Sequence, residues 1–256
     1  MNKNRLSQKI YQAKEEGRLA LIPFLPAGYP DKNRFWKEIS ELDQHGADII
    51  EIGIPFSDPM ADGPVVEEAS QKCLGQGVNL SWLFEELAQK RLNLQAEIVL
   101  MGYLNPFLQF GLDELSLQAS QAGVSGIIVP DLPFEEADEI RCKLSKKKVD
   151  LIPLIGLNTM DSRIKQYGKQ DPGFVYFVSL LGTTGSKSSL PPNLQEKLQK
   201  AGEMISSPLA LGFGIRHPDQ LSPIKQYVHA VVFGSALIEH LDAGGSSRDF
   251  MQIWTG

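Results

Sequence analysis

The chain has 256 residues, of which 42% are hydrophobic and 22% charged, and its formal net charge is -6. This length and composition predict a globular domain with one large core, and the acidic balance argues against a protein that binds nucleic acid through an excess of positive charge. No apolar stretch approaches the length of a membrane span, which predicts a protein outside the membrane.

The N-terminus and the cysteines both bear on the compartment. Residues 1–18 have the pattern of an amphipathic helix with Leu6, Ile10 and Ala13 on its inner face, and they have no apolar core of a signal peptide. Cys73 and Cys142 have no metal-ligand spacing, so we predict two packing thiols and no metal site. Together these features predict a cytoplasmic protein.

Apolar strand-like runs alternate with helical patterns along the whole chain. Helices are predicted at 31–44 and 80–90, among others. Eight strands are predicted, at residues 20–25, 48–53, 97–102, 126–130, 150–154, 174–178, 209–212 and 230–234. Such alternation is typical of parallel strands joined by helical crossovers. It predicts an α/β fold in which residues 1–256 form a single-domain (β/α)8 TIM barrel with an extra N-terminal helix; the competing open sheet usually has fewer strands.

One predicted strand carries a carboxylate where an interior strand should be apolar. Glu51 interrupts a run of isoleucines, and the loop that follows contains Asp58 and Asp62. Burial raises the pKa of a carboxyl group toward the pH at which general acids and bases work, although a glutamate paired with a basic residue or exposed at the strand end is the alternative. In a barrel these carboxylates lie at the C-terminal rim, where barrel enzymes hold their active sites.

Other strand ends should add side chains to the same rim. Phe24, Tyr103 and Tyr176 lie at or near the ends of predicted strands, and Asn105 and Asp131 follow two of them. Phe24 and Tyr103 are predicted to sandwich a flat ring, with ordinary packing as the alternative for each. This rim is therefore the predicted site of chemistry.

The last three strands are each followed by glycine. The segments are Gly182-Thr-Thr-Gly185-Ser186, Gly212-Phe-Gly214-Ile215 and Gly234-Ser235. Backbone N–H groups at such turns and at a helix N-terminus form the phosphate site that barrels commonly build here, which predicts a phosphorylated substrate. Lys187 does not complete a nucleotide P-loop, because the required spacing is missing. The polar residues around 183–189 predict a loop that closes over the substrate.

The stretch from Glu51 to Pro64, Glu-Ile-Gly-Ile-Pro-Phe-Ser-Asp-Pro-Met-Ala-Asp-Gly-Pro, resembles the signature around the catalytic glutamate of the tryptophan synthase α-subunit family. The similarity extends to segments 105–106, 130–133, 212–215 and 234–235, and it covers essentially the whole chain. The resemblance implies a carbon–carbon lyase that cleaves indole-3-glycerol phosphate to indole and D-glyceraldehyde 3-phosphate by a retro-aldol step. It also implies that this chain needs no cofactor and no metal.

The resemblance assigns roles to individual residues. Glu51 is implied to be the acid/base that serves indole C3 and the substrate hydroxyl, Asp62 to accept the indole N–H, and Tyr176 to lie near Glu51 and the substrate hydroxyl. The implied substrate-binding residues are Phe24, Tyr103, Thr184, Gly185, Gly214, Gly234 and Ser235.

A partner is implied as well: a tryptophan synthase β subunit, which holds pyridoxal phosphate and receives the indole within an α2β2 complex. The Asp58 loop and the loop after the sixth strand are the implied contacts, with Pro55, Phe56 and Pro133 as further predicted apolar contacts.

Two positions depart from the family pattern. Leu180 and Thr183 stand where relatives usually have arginine and valine, which puts loop closure and coupling to the partner in question. Two other functions stay open from the sequence: a free-standing indole-3-glycerol phosphate lyase and a non-catalytic regulatory subunit. A phosphosugar isomerase is not favoured, because its usual Lys/His/Glu set is missing.

Overall fold

In the part of the chain that the structure describes, nine parallel strands form one sheet that curls into a nearly closed barrel. The computed structural model describes residues 4–179, 191, 193–212 and 214–255. The strands are β1 (Ala20–Pro26), β2 (Ile49–Gly53), β3 (Glu97–Met101), β4 (Val124–Ile128), β5 (Asp150–Ile152), β6 (Leu154–Gly156), β7 (Val175–Val178), β8 (Leu209–Gly212) and β9 (Ala230–Phe233). Their order in the sheet is β5-β4-β3-β2-β1-β9-β8-β7-β6. The two terminal strands are consecutive in the chain, so the sheet nearly meets itself, and the predicted barrel is confirmed.

The predicted fifth strand, 150–154, is two short strands. β5 pairs with β4, whereas β6 pairs with β7. Pro153 separates them because it has no N–H to continue the ladder. Its carbonyl still accepts the backbone N–H of Tyr176 at 3.0 Å. The eight predicted strands are therefore present, and the fifth is broken at this proline.

Helices follow most of the strands and bury one apolar face each. They are α1 (Arg5–Glu15), α2 (Lys32–Gln44), α3 (Pro64–Gly75), α4 (Leu80–Lys90), α5 (Leu104–Phe110), α6 (Leu112–Gln121), α7 (Ala137–Lys146), α8 (Asp161–Gly168), α9 (Leu194–Met204), α10 (Ser235–Asp242) and α11 (Ser247–Thr255). Short 3-10 segments lie at Arg91–Asn93, Phe134–Glu136 and Pro218–Leu221. Among the described residues, no helix has the length and apolar character needed to cross a membrane.

Helix α1 covers the N-terminal end of the barrel. Leu6, Ile10 and Ala13 are fully buried, as the sequence pattern predicts. Leu6 packs so closely on Gly126 of β4 and on Gly173 that a Cβ atom at these glycines would lie 3.0 Å and 2.8 Å from its side chain. The Asn4 side chain caps the helix by accepting the N–H of Leu6 and also bonds to Asp150. The extra N-terminal helix thus seals the end opposite the predicted site.

The two cysteines differ from the prediction that both are packing thiols. Cys73 is buried on α3, whereas Cys142 is exposed on α7. Only one face of a crossover helix meets the sheet, and in α7 that face consists of Ala137, Ile140 and Leu144. Cys142 therefore lies on the solvent side of its helix.

Asp48 ties the N-terminal ends of β1 and β2 together. Its carboxylate accepts Nη1 and Nη2 of Arg18 at 2.7 and 2.8 Å and the backbone N–H of Leu21 at 2.9 Å. The Asp48 side chain is only 10% exposed, so these hydrogen bonds are largely shielded from water. A largely buried carboxylate with three donors stabilises the start of both strands.

We expect Asp48→Ala to lower the free energy of unfolding by about 2 kcal/mol, because it removes charge-assisted hydrogen bonds and leaves the buried Leu21 N–H without an acceptor. Urea unfolding followed by circular dichroism measures the change. Asp138→Ala, which removes an 85% exposed partner of Arg141, is the control and should cost less than about 1 kcal/mol. Equal losses in the two variants would contradict this account of Asp48.

Candidate active site

A cleft opens at the C-terminal ends of the strands. It encloses about 550 Å3, counting the space at its mouth. The residues that line it come from β1, β2, β3, β7 and β9 and from the loops and helices that follow strands: Phe24, Glu51, Asp62, Val66, Met101, Tyr176, Gly214, Ile215, Arg216, Val232, Phe233, Gly234 and Ser235. Seven of the ten predicted site residues line this one cleft.

Glu51 lies in the middle of β2, opposite Phe24 on β1 and Val99 on β3. Its side chain is 1% exposed, and Oε2 is buried with no hydrogen-bond partner among the described residues. Burial, and secondarily the negative charge of Asp62, raise the pKa of this carboxyl group to about 8. Glu51 is therefore mostly a neutral acid at pH 7, with an oxygen available to a ligand.

Asp62 is held in the loop between β2 and α3 by Tyr103. The Tyr103 hydroxyl accepts the backbone N–H of Ala61 at 3.0 Å and is hydrogen-bonded to the Asp62 carboxylate. Burial raises the pKa of Asp62 to about 6, an increase that the hydrogen bond from Tyr103 limits. Asp62 is thus largely ionised at pH 7, unlike Glu51. Two carboxyl groups in one cleft are held in different protonation states.

Tyr176 enters the cleft from β7 and is 3% exposed. Burial and then the charges of Glu51 and Asp62 raise the pKa of its hydroxyl well above the usual value, so it stays protonated. The ring lies against the backbone of Gly212 at the end of β8, where a Cβ atom would come within 2.3 Å of the Tyr176 hydroxyl oxygen. Glycine at position 212 is what lets Tyr176 occupy this place.

Phe24 forms one wall of the cleft, wedged between two glycines. A Cβ atom at Gly53 or at Gly234 would lie 2.6 Å from its ring. Tyr103, the other predicted wall, is buried with its ring centroid 5.3 Å from that of Phe56, and it is not among the described residues that line the cleft. Tyr103 therefore contacts the Asp62 loop, and the sandwich of a flat ring between Phe24 and Tyr103 stays a prediction.

Glycines and a helix N-terminus form another part of the cleft lining. Gly214 has a positive φ of 85° after β8, a conformation that favours glycine. Gly234 is the N-cap of α10 and has no side chain to bond the first turn, so the first N–H groups of that helix, beginning at Ser235, are available to an anion. The other predicted contacts, Thr184 and Gly185, lie outside the described residues.

Several lining residues escaped the sequence interpretation. Val66 on the buried face of α3 and Met101 at the end of β3 line the cleft, and neither was assigned to the site from the sequence. Arg216 follows the Gly212–Ile215 segment directly, and its position next to that motif was the available signal.

Two further polar residues of the rim have structural partners instead. The Asp131 carboxylate accepts the N–H of Leu104 at the start of α5, at 2.9 Å, and Asp58 is exposed and bonded to Ser57. Within the described ranges, no three His, Cys, Asp or Glu side chains come together as a potential metal site. Of the carboxylates that follow β2, Asp62 is the one that faces the cleft.

The chain is similar to known proteins over nearly its whole length. The family model described as tryptophan synthase alpha chain matches residues 10–252. A tryptophan synthase alpha chain from Maridesulfovibrio salexigens is 55% identical over 254 residues, which is 99% of this chain and 100% of that protein.

Solved structures agree with this similarity. A chain of Mycobacterium tuberculosis tryptophan synthase superposes with a TM-score of 0.89 at 30% identity and covers 100% of both chains. A chain of a tryptophan synthase complex from Pyrococcus furiosus has a TM-score of 0.82 at 33% identity, covering 91% of this chain and 94% of that one. The resemblance predicted from the Glu51–Pro64 motif is confirmed, and the chain belongs to the tryptophan synthase alpha chain family.

Proposed function

We propose that this chain, a tryptophan synthase α subunit, cleaves indole-3-glycerol phosphate to indole and D-glyceraldehyde 3-phosphate in the cleft described above, with Glu51, Asp62 and Tyr176 as its catalytic residues. The observation that carries the assignment of residues is the pairing of a buried, mostly protonated Glu51 with a mostly ionised Asp62 in a single cleft. A retro-aldol reaction of this substrate needs both forms.

The reaction breaks the bond between indole C3 and the glycerol carbon that carries a hydroxyl. Glu51 donates its proton to C3, and the carboxylate so formed takes the proton of that hydroxyl as the bond breaks and the aldehyde forms. Glu51 is returned to its starting state, so protons balance over the cycle. The buried, unpartnered Oε2 supplies a position from which this transfer is made.

Protonation at C3 places positive charge on the indole ring, chiefly at the nitrogen. The ionised carboxylate of Asp62 accepts the indole N–H and stabilises this charge within a cleft whose walls are largely apolar. Tyr176 stays protonated and serves as a hydrogen-bond donor to the reacting hydroxyl oxygen. Tyr103, which bonds to Asp62, positions that carboxylate.

The phosphate group binds at the glycine side of the cleft. The N–H groups at Gly214, Gly234 and Ser235 and the positive end of α10 favour a dianion there. Thr184 and Gly185 are expected to complete this site from the loop after β7. Phe24, held between Gly53 and Gly234, places an aromatic face against the indole ring.

We further propose that the chain works in an α2β2 complex with a tryptophan synthase β subunit, in the cytoplasm, and that pyridoxal phosphate belongs to the partner. The Pyrococcus furiosus relative comes from a tryptophan synthase complex. Apolar side chains on the C-terminal rim of this chain support a docked partner: Met60 is 85% exposed, Met160 is 70% exposed and Leu108 is 52% exposed. Pro133 is exposed as well, whereas Pro55 is buried.

Indole release from indole-3-glycerol phosphate tests this function directly. We expect slow release by the purified chain and a rate at least tenfold higher after a tryptophan synthase β subunit is added, because partner binding closes the cleft. The assay follows indole with time, with each subunit alone as the control. Fast release that the β subunit does not change would instead establish a free-standing lyase, and no release in either case would leave a regulatory subunit.

Glu51→Gln should reduce turnover at least 100-fold, because the amide cannot transfer a proton, while it fills the same space. Binding of glycerol 3-phosphate, measured by calorimetry, should change less than threefold, since the proposed phosphate contacts are Gly214, Gly234 and Ser235 and do not include Glu51. Exposed Glu85→Gln is the matched control and should retain full turnover. Retained turnover in Glu51→Gln would exclude Glu51 as the acid.

The raised pKa of Glu51 also makes stability depend on pH. Between about pH 4.5 and about pH 8 the unfolded chain has lost the Glu51 proton while the folded chain keeps it. The unfolded state therefore binds fewer protons, and the free energy of unfolding falls as the pH rises through this window.

Glu51→Gln has no proton to lose, so its stability relative to the unsubstituted chain should rise between pH 5 and pH 8, by about 2 kcal/mol or more. Urea unfolding of both proteins at the two pH values measures this difference, and Glu85→Gln controls for loss of a carboxyl group. Parallel pH dependence of Glu51→Gln and the unsubstituted chain would show that Glu51 is not buried as a neutral acid.

A further inference from the structure

Arg216 brings a positive charge to the phosphate side of the cleft. It follows Gly214 and Ile215 after β8 and lines the cleft together with Gly234 and Ser235. Among the described residues of the lining it is the only cation, whereas Glu51 and Asp62 are both acidic. The substrate proposed above carries a phosphate dianion into this acidic surrounding.

The guanidinium of Arg216 is held by a carboxylate on the helix that begins at the phosphate site. Nη1 of Arg216 lies 3.3 Å from Oε1 of Glu239, and Nη2 bonds to Oε2. Glu239 is four residues after Ser235 in α10, so it lies about one helical turn from the first N–H groups of that helix. The pair therefore ties the guanidinium to the helix whose N-terminus lines the cleft.

The backbone at Arg216 is fixed as well. The side-chain oxygen of Gln220 accepts the N–H groups of Arg216 and His217 at 2.7 and 2.9 Å, and its amide nitrogen donates to the carbonyl of Gly214 at 3.3 Å. One glutamine thus holds the turn that carries both the glycine and the arginine. A side chain on such a fixed turn loses little freedom when it binds a ligand.

We propose that Arg216 is a specificity residue for the phosphorylated end of the substrate, oriented by Glu239 on one side and available to the phosphate on the other. This inference rests on the function proposed above. Guanidinium has five N–H donors, and the described hydrogen bonds to Glu239 use two of its nitrogens. The remaining donors suit a phosphate oxygen. Arg216 supplies a full charge where the helix end supplies only about half of one.

A purely structural ion pair is the competing explanation. The pair is partly exposed, with the Arg216 and Glu239 side chains 34% and 42% accessible, and exposed pairs of this kind stabilise a fold little. If the pair only joined the turn to α10, removing either partner would have the same effect. If Arg216 acts on the phosphate, the two removals differ, because only one takes away the positive charge.

The experiment measures the affinity for glycerol 3-phosphate by calorimetry in four variants and the unsubstituted chain. We expect Arg216→Gln to weaken binding about tenfold and Arg216→Lys, which keeps the charge, to weaken it less than threefold. Glu239→Gln should bind as tightly as the unsubstituted chain or more tightly, since a competing carboxylate is gone. Arg5→Gln is the matched control: Arg5 pairs with Glu97 at 3.7 Å at the opposite end of the barrel, and its loss should not change affinity.

Kinetics add a second measurement. In Arg216→Gln the KM for indole-3-glycerol phosphate should rise about tenfold with kcat within twofold, because the phosphate contact is made before and during the reaction alike. An affinity within twofold of the unsubstituted chain in Arg216→Gln, or an equal loss in Glu239→Gln, would overturn the proposal. Failure of the proposed function would instead show as absent indole release in a chain that still binds glycerol 3-phosphate through Arg216.

Discussion

The burial of one carboxyl group inside a parallel barrel is the constraint on which the site depends. Glu51 stands on an interior strand with one oxygen buried and unpartnered among the described residues. Water in that place would lower its pKa, and a cation would ionise it. The apolar wall around Phe24 and the nearby charge of Asp62 instead hold it as a neutral acid near pH 7. That state costs stability, which the apolar core of the barrel offsets.

The N-terminal end of the barrel holds stabilising hydrogen bonds, whereas the C-terminal end holds the candidate site. At the N-terminal end, Asp48 and Asp150 accept hydrogen bonds from several donors, and α1 packs over the strand starts. At the C-terminal end, by contrast, glycines keep space for Phe24 and Tyr176, and Oε2 of Glu51 has no hydrogen-bond partner within the described part of the chain. Parallel strands force this division, because all carboxyl ends meet at one rim and all amino ends at the other. A loop at the rim can therefore vary without disturbing the bonds that start the strands.

The local pattern of apolar and polar residues was sufficient to predict most of the fold. Apolar runs and crossover helices predict eight strand–helix units, and α4 has the predicted bounds because its apolar spacing and Asn79 cap agree. The break at Pro153 was less visible, since the flanking residues remain strand-like on both sides. Cys142 was predicted as a packing thiol, yet one-sided burial of α7 leaves it exposed. Both differences arise from which partner strand or face a residue meets, and that depends on residues distant in sequence.

Dependence on residues distant in sequence limits the prediction of the candidate site even more than that of the fold. Glu51 and Asp62 are marked by their place in a single segment, because carboxylates at the end of an apolar strand are unusual. The role of Tyr103 depends instead on a hydroxyl from the loop after β3 reaching a loop after β2. The orientation of the Arg216 side chain depends on its ion pair with Glu239, which lies twenty-three positions later in the chain. The carboxylates proposed to act on the substrate, and the glycines of the proposed phosphate site, are thus marked by local sequence, whereas the contacts of Tyr103 and Arg216 become visible only when the strand ends are brought together.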